Sequence, residues 1–232
     1  MRIRHKWAIF LMLAMLPVLS TLALSEINNP SIGSDEISWN FGFVPFDYDL
    51  VHYYDIKNEG SGNLYITNIA TSCDCTHARA IDTLIPPGGE TKIKTEFSTK
   101  NYYGKNTRTV AISTNDPQNP TFDLEFVSLI GALPKFVEAV PNALFFLPAH
   151  KEKDLKLLNK SDSEINVIIS MEPDSIVTID KTEMNIESGE SAVIKVTPSD
   201  NLGPGTFLSS FAVDFGTTPP VRITVPVKIV RY

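Results

Sequence analysis

The sequence IPPGGETKIKTEF, residues 85–97, contains the two signals that decide the fold. The first is a turn, because prolines and adjacent glycines supply the restricted and left-handed backbone angles that turns need. The second is a strand, because Ile93, Thr95 and Phe97 alternate with charged side chains. A period of two places alternate side chains on one face of a sheet. The stretch therefore predicts a turn followed by a half-buried β-strand.

Segments of the same kind continue along the chain from Ile37. Leu50, His52, Tyr54 and Ile56 form one face of a predicted strand, and the glycine-rich stretch 58–62 follows as a turn. No convincing 3.6-residue period occurs after the first 25 residues. Short alternating strands with frequent turn signals indicate an all-β sandwich or barrel.

The second half of the chain repeats the first at an offset of 100 or 101 residues. The paired segments are 85–94 with 186–195, 55–58 with 156–159, and 103–104 with 204–205. Chance similarity among turn-rich sequences is the alternative, but three matches in one order favour duplication. We therefore predict two tandem β-sandwich domains, 37–132 and 133–232, preceded by a linker at 26–36. The junction is short and contains Pro134, which favours domains that are held close together.

The N-terminus has the pattern of a secretory signal peptide over residues 1–25. Basic residues precede an apolar stretch from Trp7 to Leu24, and Ala23 and Ser25 occupy the −3 and −1 positions of a cleavage site before Glu26. The alternative is an uncleaved membrane anchor. Cleavage predicts an exported protein, periplasmic or extracellular, with no stable transmembrane segment afterwards.

The net charge limits the kinds of partner that the chain can bind, and the two cysteines limit the disulfides that it can form. Three of the 20 basic residues and none of the 27 acidic ones precede residue 26, so the rest of the chain has a formal net charge of −10. This charge argues against nucleic acid or an anionic membrane surface and favours a protein or another envelope component as the partner. The two cysteines are too close together to join distant parts of a sandwich.

Three motifs in the first repeat follow the order and spacing of a known bacterial family. They are Trp39-Asn40-Phe41-Gly42-Phe43-Val44, Asp55-Ile56-Lys57-Asn58-Glu59-Gly60 and Ser72-Cys73-Asp74-Cys75-Thr76. Over about residues 38–131 the chain resembles the exported family named Domain of Unknown Function 1573. The second repeat resembles immunoglobulin-like modules of the hydin and major-sperm-protein kind. The resemblance implies two tandem immunoglobulin-like sandwiches in the bacterial envelope and no known activity.

The Cys-x-Cys-x-His string at Cys73, Cys75 and His77 is the one pattern that suggests chemistry. Thiolates and imidazole are ligands for copper(I) or zinc. In an extended strand, however, the Cα atoms of the cysteines would lie roughly 6.6 Å apart, near the upper limit for a disulfide. The family usually has Gly where this chain has Asp74, so a sharp turn there is less easily formed. Structural thiols or a disulfide, a redox pair, a metal site and attachment to a partner all stay open.

The remaining signals favour binding over catalysis. No catalytic residues or motifs of known enzyme classes are found, and no cofactor is predicted other than the copper or zinc named above. Tyr102 and Tyr103 form a predicted binding loop. Pro226 places the last strand at a sheet edge, because proline cannot donate to a ladder. We predict a non-enzymatic binding or structural module of the cell envelope, with a metal or thiol-redox protein as the alternative.

Overall fold

β-Strands make up the regular structure of this chain. The computed structural model describes residues 28–172 and 176–232, and these contain no helix. Within that part of the chain no helix is long and apolar enough to cross a membrane. The predicted signal peptide, residues 1–25, lies outside the described residues. The prediction of an all-β fold is confirmed.

The first half of the chain forms a sandwich of two sheets. Its strands are β1 Ile32–Gly33, β2 Ser38–Val44, β3 Asp49–Asn58, β4 Leu64–Thr71, β5 Thr76–Ala80, β6 Leu84–Ile85, β7 Glu90–Ser98, β8 Gly104–Thr114 and β9 Thr121–Ile130. One sheet has the order β1-β3-β7-β5, and the other has the order β2-β9-β8-β4-β6. β2 pairs with β9 in parallel, and the other neighbours in these two sheets are antiparallel.

The second half repeats this arrangement strand for strand. Its strands are β10 Val137–Val140, β11 Leu144–Phe146, β12 Lys153–Asn159, β13 Ile165–Met171, β14 Val177–Ile179, β15 Glu183–Ile186, β16 Ser191–Pro198, β17 Gly205–Phe215 and β18 Val221–Arg231. The sheets have the orders β10-β12-β16-β14 and β11-β18-β17-β13-β15, and β11 pairs with β18 in parallel, as β2 does with β9. The internal repeat seen in the sequence is therefore a repeat of topology, and the chain is two tandem immunoglobulin-like sandwiches.

A buried asparagine makes the same contacts in both sandwiches. The amide of Asn58 donates to the carbonyls of Gly62 and Ile85, at 2.7 and 2.9 Å. That of Asn159 donates to the carbonyls of Ser163 and Ile186 at the same two distances. Each asparagine closes the turn after its strand and ties that turn to a neighbouring one. This explains why the sequence repeats a strand ending in asparagine at an offset of 101.

Each sandwich has its own apolar core. Along β7 the side chains of Thr91, Ile93, Thr95 and Phe97 are buried, which confirms the alternation predicted from residues 85–97. The first core draws on β1–β9 and the second on β10–β18, with Phe43 of β2 packed against the second core. The two sandwiches thus have separate interiors and touch at their boundary.

The segment predicted as a linker, residues 26–36, contains a strand. Ile32 and Gly33 form β1, and Ile32 is buried. The backbone N–H of Ile32 donates to Oδ2 of Asp116 at 3.0 Å. Burial alone would raise the pKa of Asp116, but hydrogen bonds from Ile32, Gln118 and Asn119 lower it below the ordinary value. This carboxylate fastens the start of the first sandwich to its β8–β9 turn.

β18 is an interior strand, so the edge position predicted from Pro226 is wrong. It pairs along its length with β17, and on its other side with β2 at Ile223 and with β11 over residues 227–229. Pro226 lies between those two contacts on that side of β18 and is in register with Ser210 of β17 on the other. The pairing of Ile223 with Phe43 also joins the β2 and β18 sheets of the two sandwiches edge to edge.

Candidate functional site

The two cysteines form a disulfide in the turn between β4 and β5. Their Cα atoms are 5.2 Å apart. The chain is not an extended strand here, because the N–H of Thr76 donates to the carbonyl of Cys73 at 3.2 Å and closes a turn. The non-glycine residues with positive φ in the described chain are Asp47 and Asn101, so Asp74 does not need the conformation that favours glycine. Aspartate at this position therefore does not prevent the turn.

A guanidinium group lies against the disulfide. Nε of Arg108, on β8, donates to Sγ of Cys75 at 3.4 Å. The same guanidinium lies over the ring of Tyr102, 4.8 Å from its centroid, and 5.8 Å from that of Phe97. The turn is fixed to both sheets, because Ser98 donates to the carbonyl of Cys75 and Ser72 donates to that of Thr109. The arginine and the disulfide are thus held in one geometry.

His77 is not gathered with the cysteines. It is exposed on β5, in register with Glu96 of β7. Across residues 28–172 and 176–232, no group of three or more His, Cys, Asp or Glu side chains could hold a metal ion. A disulfide also lacks the thiolates that bind copper or zinc. Metal binding by Cys73, Cys75 and His77 stays a prediction that would require the reduced protein.

The two tyrosines of the predicted binding loop point to different places. Tyr102 packs against the first core beneath Arg108. Tyr103 is 69% exposed and stacks on Phe46, with ring centroids 4.6 Å apart. Tyr103 therefore belongs to an aromatic surface whose second member, Phe46, comes from a loop 57 residues earlier in the chain.

Next to that surface, an open apolar cleft separates the two sandwiches. Its volume is about 620 Å³. The residues around it are Phe43, Val44, Pro45, Phe46, Tyr48, Gly131, Ala132, Leu133, Pro134, Glu138, Ala139, Val140, Pro141, Asn142 and Ile223. Leu133 is 75% exposed and Val140 is 43% exposed. We call this the elbow cleft, because it lies where the chain passes from β9 to β10.

Where β3 meets the second sandwich, His52 lies between two carboxylates. Its Nδ1 is 2.8 Å from Oε1 of Glu172, in the second sandwich, and its Nε2 is 3.1 Å from Oε2 of Glu36. Burial alone would lower the pKa of His52, but the hydrogen bonds to Glu172 and Glu36 and their negative charges raise it above the ordinary value of 6.5. The imidazolium so favoured can donate from both nitrogens.

Trp39 continues this contact into the second sandwich. Its indole stacks on the ring of His52 with centroids 4.0 Å apart, and the guanidinium of Arg222 lies 4.4 Å from the indole on a strand of the other sandwich. Arg222 also forms a two-pronged ion pair with Asp214, at 2.7 and 3.0 Å. We call His52, Trp39 and Arg222, with Glu36 and Glu172, the interdomain stack.

Backbone contacts accompany the stack. The hydroxyl of Ser210 accepts from the N–H of Val51 at 2.6 Å, and the hydroxyl of Thr224 donates to the carbonyl of Phe41 at 2.6 Å. Both bonds are buried. The two sandwiches therefore meet through buried hydrogen bonds as well as through apolar contacts.

Sequence reasoning missed the elbow cleft, the interdomain stack and Arg108. His52 and Glu172 are 120 residues apart, and neither lies in a motif. Arg108 lies in a polar segment, residues 105–109, whose sequence indicates an ordinary strand. One available signal was Trp39 with Gly42, an aromatic residue and a glycine in the opening strand, but these indicated a family and not a contact.

One family model matches most of the first sandwich. Residues 32–127 match the model of a family described as "Protein of unknown function (DUF1573)", in agreement with the resemblance found over residues 38–131. The match extends from β1 into β9. No curated protein matches the chain. The hydin or major-sperm-protein character of the second sandwich stays a prediction.

Several solved structures share part of the fold at low identity. The complex of the CsuC chaperone with the CsuE tip adhesion subunit from Acinetobacter baumannii pili has a TM-score of 0.38 at 16% identity, over 41% of this chain and 52% of that one. A protein of unknown function from Porphyromonas gingivalis scores 0.37 at 10%, over 86% and 99%. PapD-like domain 7 of human CEP192 scores 0.38 at 10%, over 56% and 100%. The chain covers 52% of the matched chain in the CsuC–CsuE complex. It covers 54% of the Escherichia coli chaperone DraB and 57% of the periplasmic chaperone SfaE.

Proposed function

We propose that this chain is an exported, non-enzymatic binding module of the bacterial cell envelope, and that its elbow cleft receives an apolar segment of a partner polypeptide. The division into domains at residues 132–133, within the cleft wall, is part of this proposal. The observation that carries it is the exposure of Leu133 and Val140 around an apolar cleft of about 620 Å³. Contiguous exposed apolar surface of this kind is typical of binding sites.

Two features favour a polypeptide as the occupant. β10, which contributes Glu138, Ala139 and Val140 to the cleft, is the edge strand of its sheet. An edge strand can bind an extended segment through backbone hydrogen bonds, while adjacent apolar surface receives its side chains. The net charge of −10 after residue 25 opposes docking on an anionic lipid surface.

A binding measurement with matched variants tests this function. The probe is a fluorescein-labelled decapeptide of alternating Val and Thr, titrated against the chain lacking residues 1–25. Leu133→Asp should weaken binding roughly tenfold or more, because burying a leucine contributes about 1.5–3 kcal/mol. Val193→Asp is the control, since Val193 is 45% exposed on β16 away from the cleft.

Three results would contradict the proposal. The first is the absence of peptide binding by the unsubstituted chain. The second is an equal loss in the Leu133 and Val193 variants, which would show that the peptide does not use the cleft. The third is binding to phosphatidylglycerol vesicles, but not to the peptide, that Leu133→Asp abolishes; this would assign the cleft to lipid.

A further inference from the structure

The disulfide in the first sandwich has an asymmetric charge environment. Cys75 Sγ accepts a hydrogen bond from the Arg108 guanidinium, while the polar neighbour of Cys73 Sγ is the neutral hydroxyl of Thr76, at 3.4 Å. Both remaining nitrogens of Arg108 also face neutral oxygens, the carbonyl of Thr107 and Oδ1 of Asn106. Among the ion pairs formed by described residues, none includes Arg108. Within residues 28–172 and 176–232, no carboxylate therefore pairs with its charge.

The second sandwich has no counterpart of this disulfide. The carbonyl of Cys75 accepts from Ser98, as that of Ile176 accepts from Ser199 at the equivalent place in the second sandwich. Ile176 is a buried core residue there, and Ser209 occupies the position of Arg108. The second sandwich closes with neither the disulfide nor the arginine. A two-residue separation also constrains the unfolded chain little, because the stabilisation grows with loop length.

From these contacts we propose that Cys73–Cys75 is a thiol–disulfide exchange site, in which Arg108 makes Cys75 the leaving thiolate and directs attack to Cys73. Both sulfurs are in partly exposed residues, and Cys75 is the one packed against the first core. Cations next to a cysteine favour its thiolate. A sulfur that is stabilised as a thiolate leaves faster in exchange. The site goes beyond the proposed binding function and does not depend on it.

The partner chemistry is that of a dithiol. One of its thiolates forms a bond to Cys73 Sγ as the Cys73–Cys75 bond breaks, and the electron pair of that bond goes to Cys75 as a thiolate beside Arg108. The second thiolate of the dithiol then attacks the dithiol's other sulfur, which is the one bonded to Cys73 in the mixed disulfide. Cys73 is released as a thiolate and takes a proton from water. The disulfide of this chain gains two electrons, and the dithiol is oxidised to a disulfide.

Reduction kinetics test the role of Arg108. The chain is reduced with dithiothreitol at pH 7, quenched with an alkylating agent and followed by mass spectrometry. Arg108→Gln should slow reduction about threefold or more, because the leaving thiolate loses its cation. Arg108→Lys should slow it less, and Lys105→Gln, on the same strand away from the disulfide, should not change it. Equal rates in Arg108→Gln and the unsubstituted chain would overturn the proposal.

Single-cysteine variants test the direction of attack and remain informative if the arginine variants are destabilised. In Cys73→Ser the remaining Cys75 should react with iodoacetamide at lower pH than Cys73 does in Cys75→Ser. Substitution Arg108→Gln should remove this difference. The opposite order of reactivity would contradict the assigned direction. Circular dichroism of the reduced chain gives the last check, since loss of the sandwich on reduction would show a structural disulfide instead.

Discussion

His52 is a titratable residue at the contact between the sandwiches, and its charge state affects that contact. Both of its ring nitrogens face carboxylate oxygens, so both must donate for the two contacts to be favourable. The neutral ring would leave one nitrogen lone pair facing a carboxylate. The Tyr54 ring meets the imidazole edge to face, and burial together with the charges of Glu36 and Glu172 raises the pKa of Tyr54, so its hydroxyl stays neutral. The protonated histidine therefore stabilises the folded chain.

This protonation predicts a pH-dependent stability. The pKa of His52 is higher in the folded chain than in the unfolded one, so its stabilisation is complete below about pH 6.5 and is lost as pH rises through the folded value. We expect the difference in unfolding free energy between the unsubstituted chain and His52→Gln to shrink from pH 6 to pH 9, by up to about 1.4 kcal/mol per pH unit. Urea unfolding measures it.

The control for this experiment is His77→Gln, because His77 is exposed on β5. Its difference from the unsubstituted chain should be small and should not change over the same range. A His52→Gln difference that is constant between pH 6 and pH 9 would show that the ring is neutral in the folded chain and that the account of the stack is wrong.

At the scale of elements, β2 is the strand that belongs to both sandwiches. It pairs with β9 in its own sheet and meets β18 of the other, and its register shifts between Asn40 and Gly42. The shift turns Phe41 into the first core and brings the backbone at Gly42 against β18. Gly42 has a φ of 65°, and a Cβ atom there would lie 2.2 Å from the carbonyl oxygen of Arg222. Glycine is required for both reasons.

Two alanine substitutions separate the cost of the positive φ from the cost of the close approach to Arg222. Gly88 has a φ of 70°, and no described atom lies within 4 Å of the place its Cβ would take, so Gly88→Ala should lose only the backbone term of about 1–2 kcal/mol. Gly42→Ala should lose about 1–3 kcal/mol more, because the contact with Arg222 must open. Urea unfolding of the two variants gives the comparison. Equal losses would mean that β2 and β18 do not meet at this glycine.

The strands were predictable from the sequence because alternation of apolar and polar residues is a local property. The turn at Cys73–Cys75 was not, since its hydrogen bond from Thr76 leaves no mark in the pattern of residues. The edge position inferred from Pro226 failed because the partners of β18 come from distant segments, β2 and β11. The elbow cleft could not be predicted from the sequence for the same reason, since its walls come from both sandwiches.

In the whole molecule, the two sandwiches share one topology but are joined along one side. Each sandwich has its own core, but the β2–β18 pairing and the interdomain stack join them along one side. The elbow cleft opens beside that joint, with Leu133 and Val140 exposed and the edge strand β10 forming part of its wall. The contact between the sandwiches thus lies next to an exposed apolar surface.

Photo-crosslinking in the native host tests most directly whether a polypeptide binds in the elbow cleft. Leu133 is replaced by p-benzoylphenylalanine in the full chain, with the same replacement at Val193 as control. We expect a polypeptide adduct from position 133 and not from position 193, and loss of that adduct when Val140→Asp is added. Equal adducts from both positions, no polypeptide adduct at position 133, or an adduct unaffected by Val140→Asp would contradict the elbow cleft as the binding site.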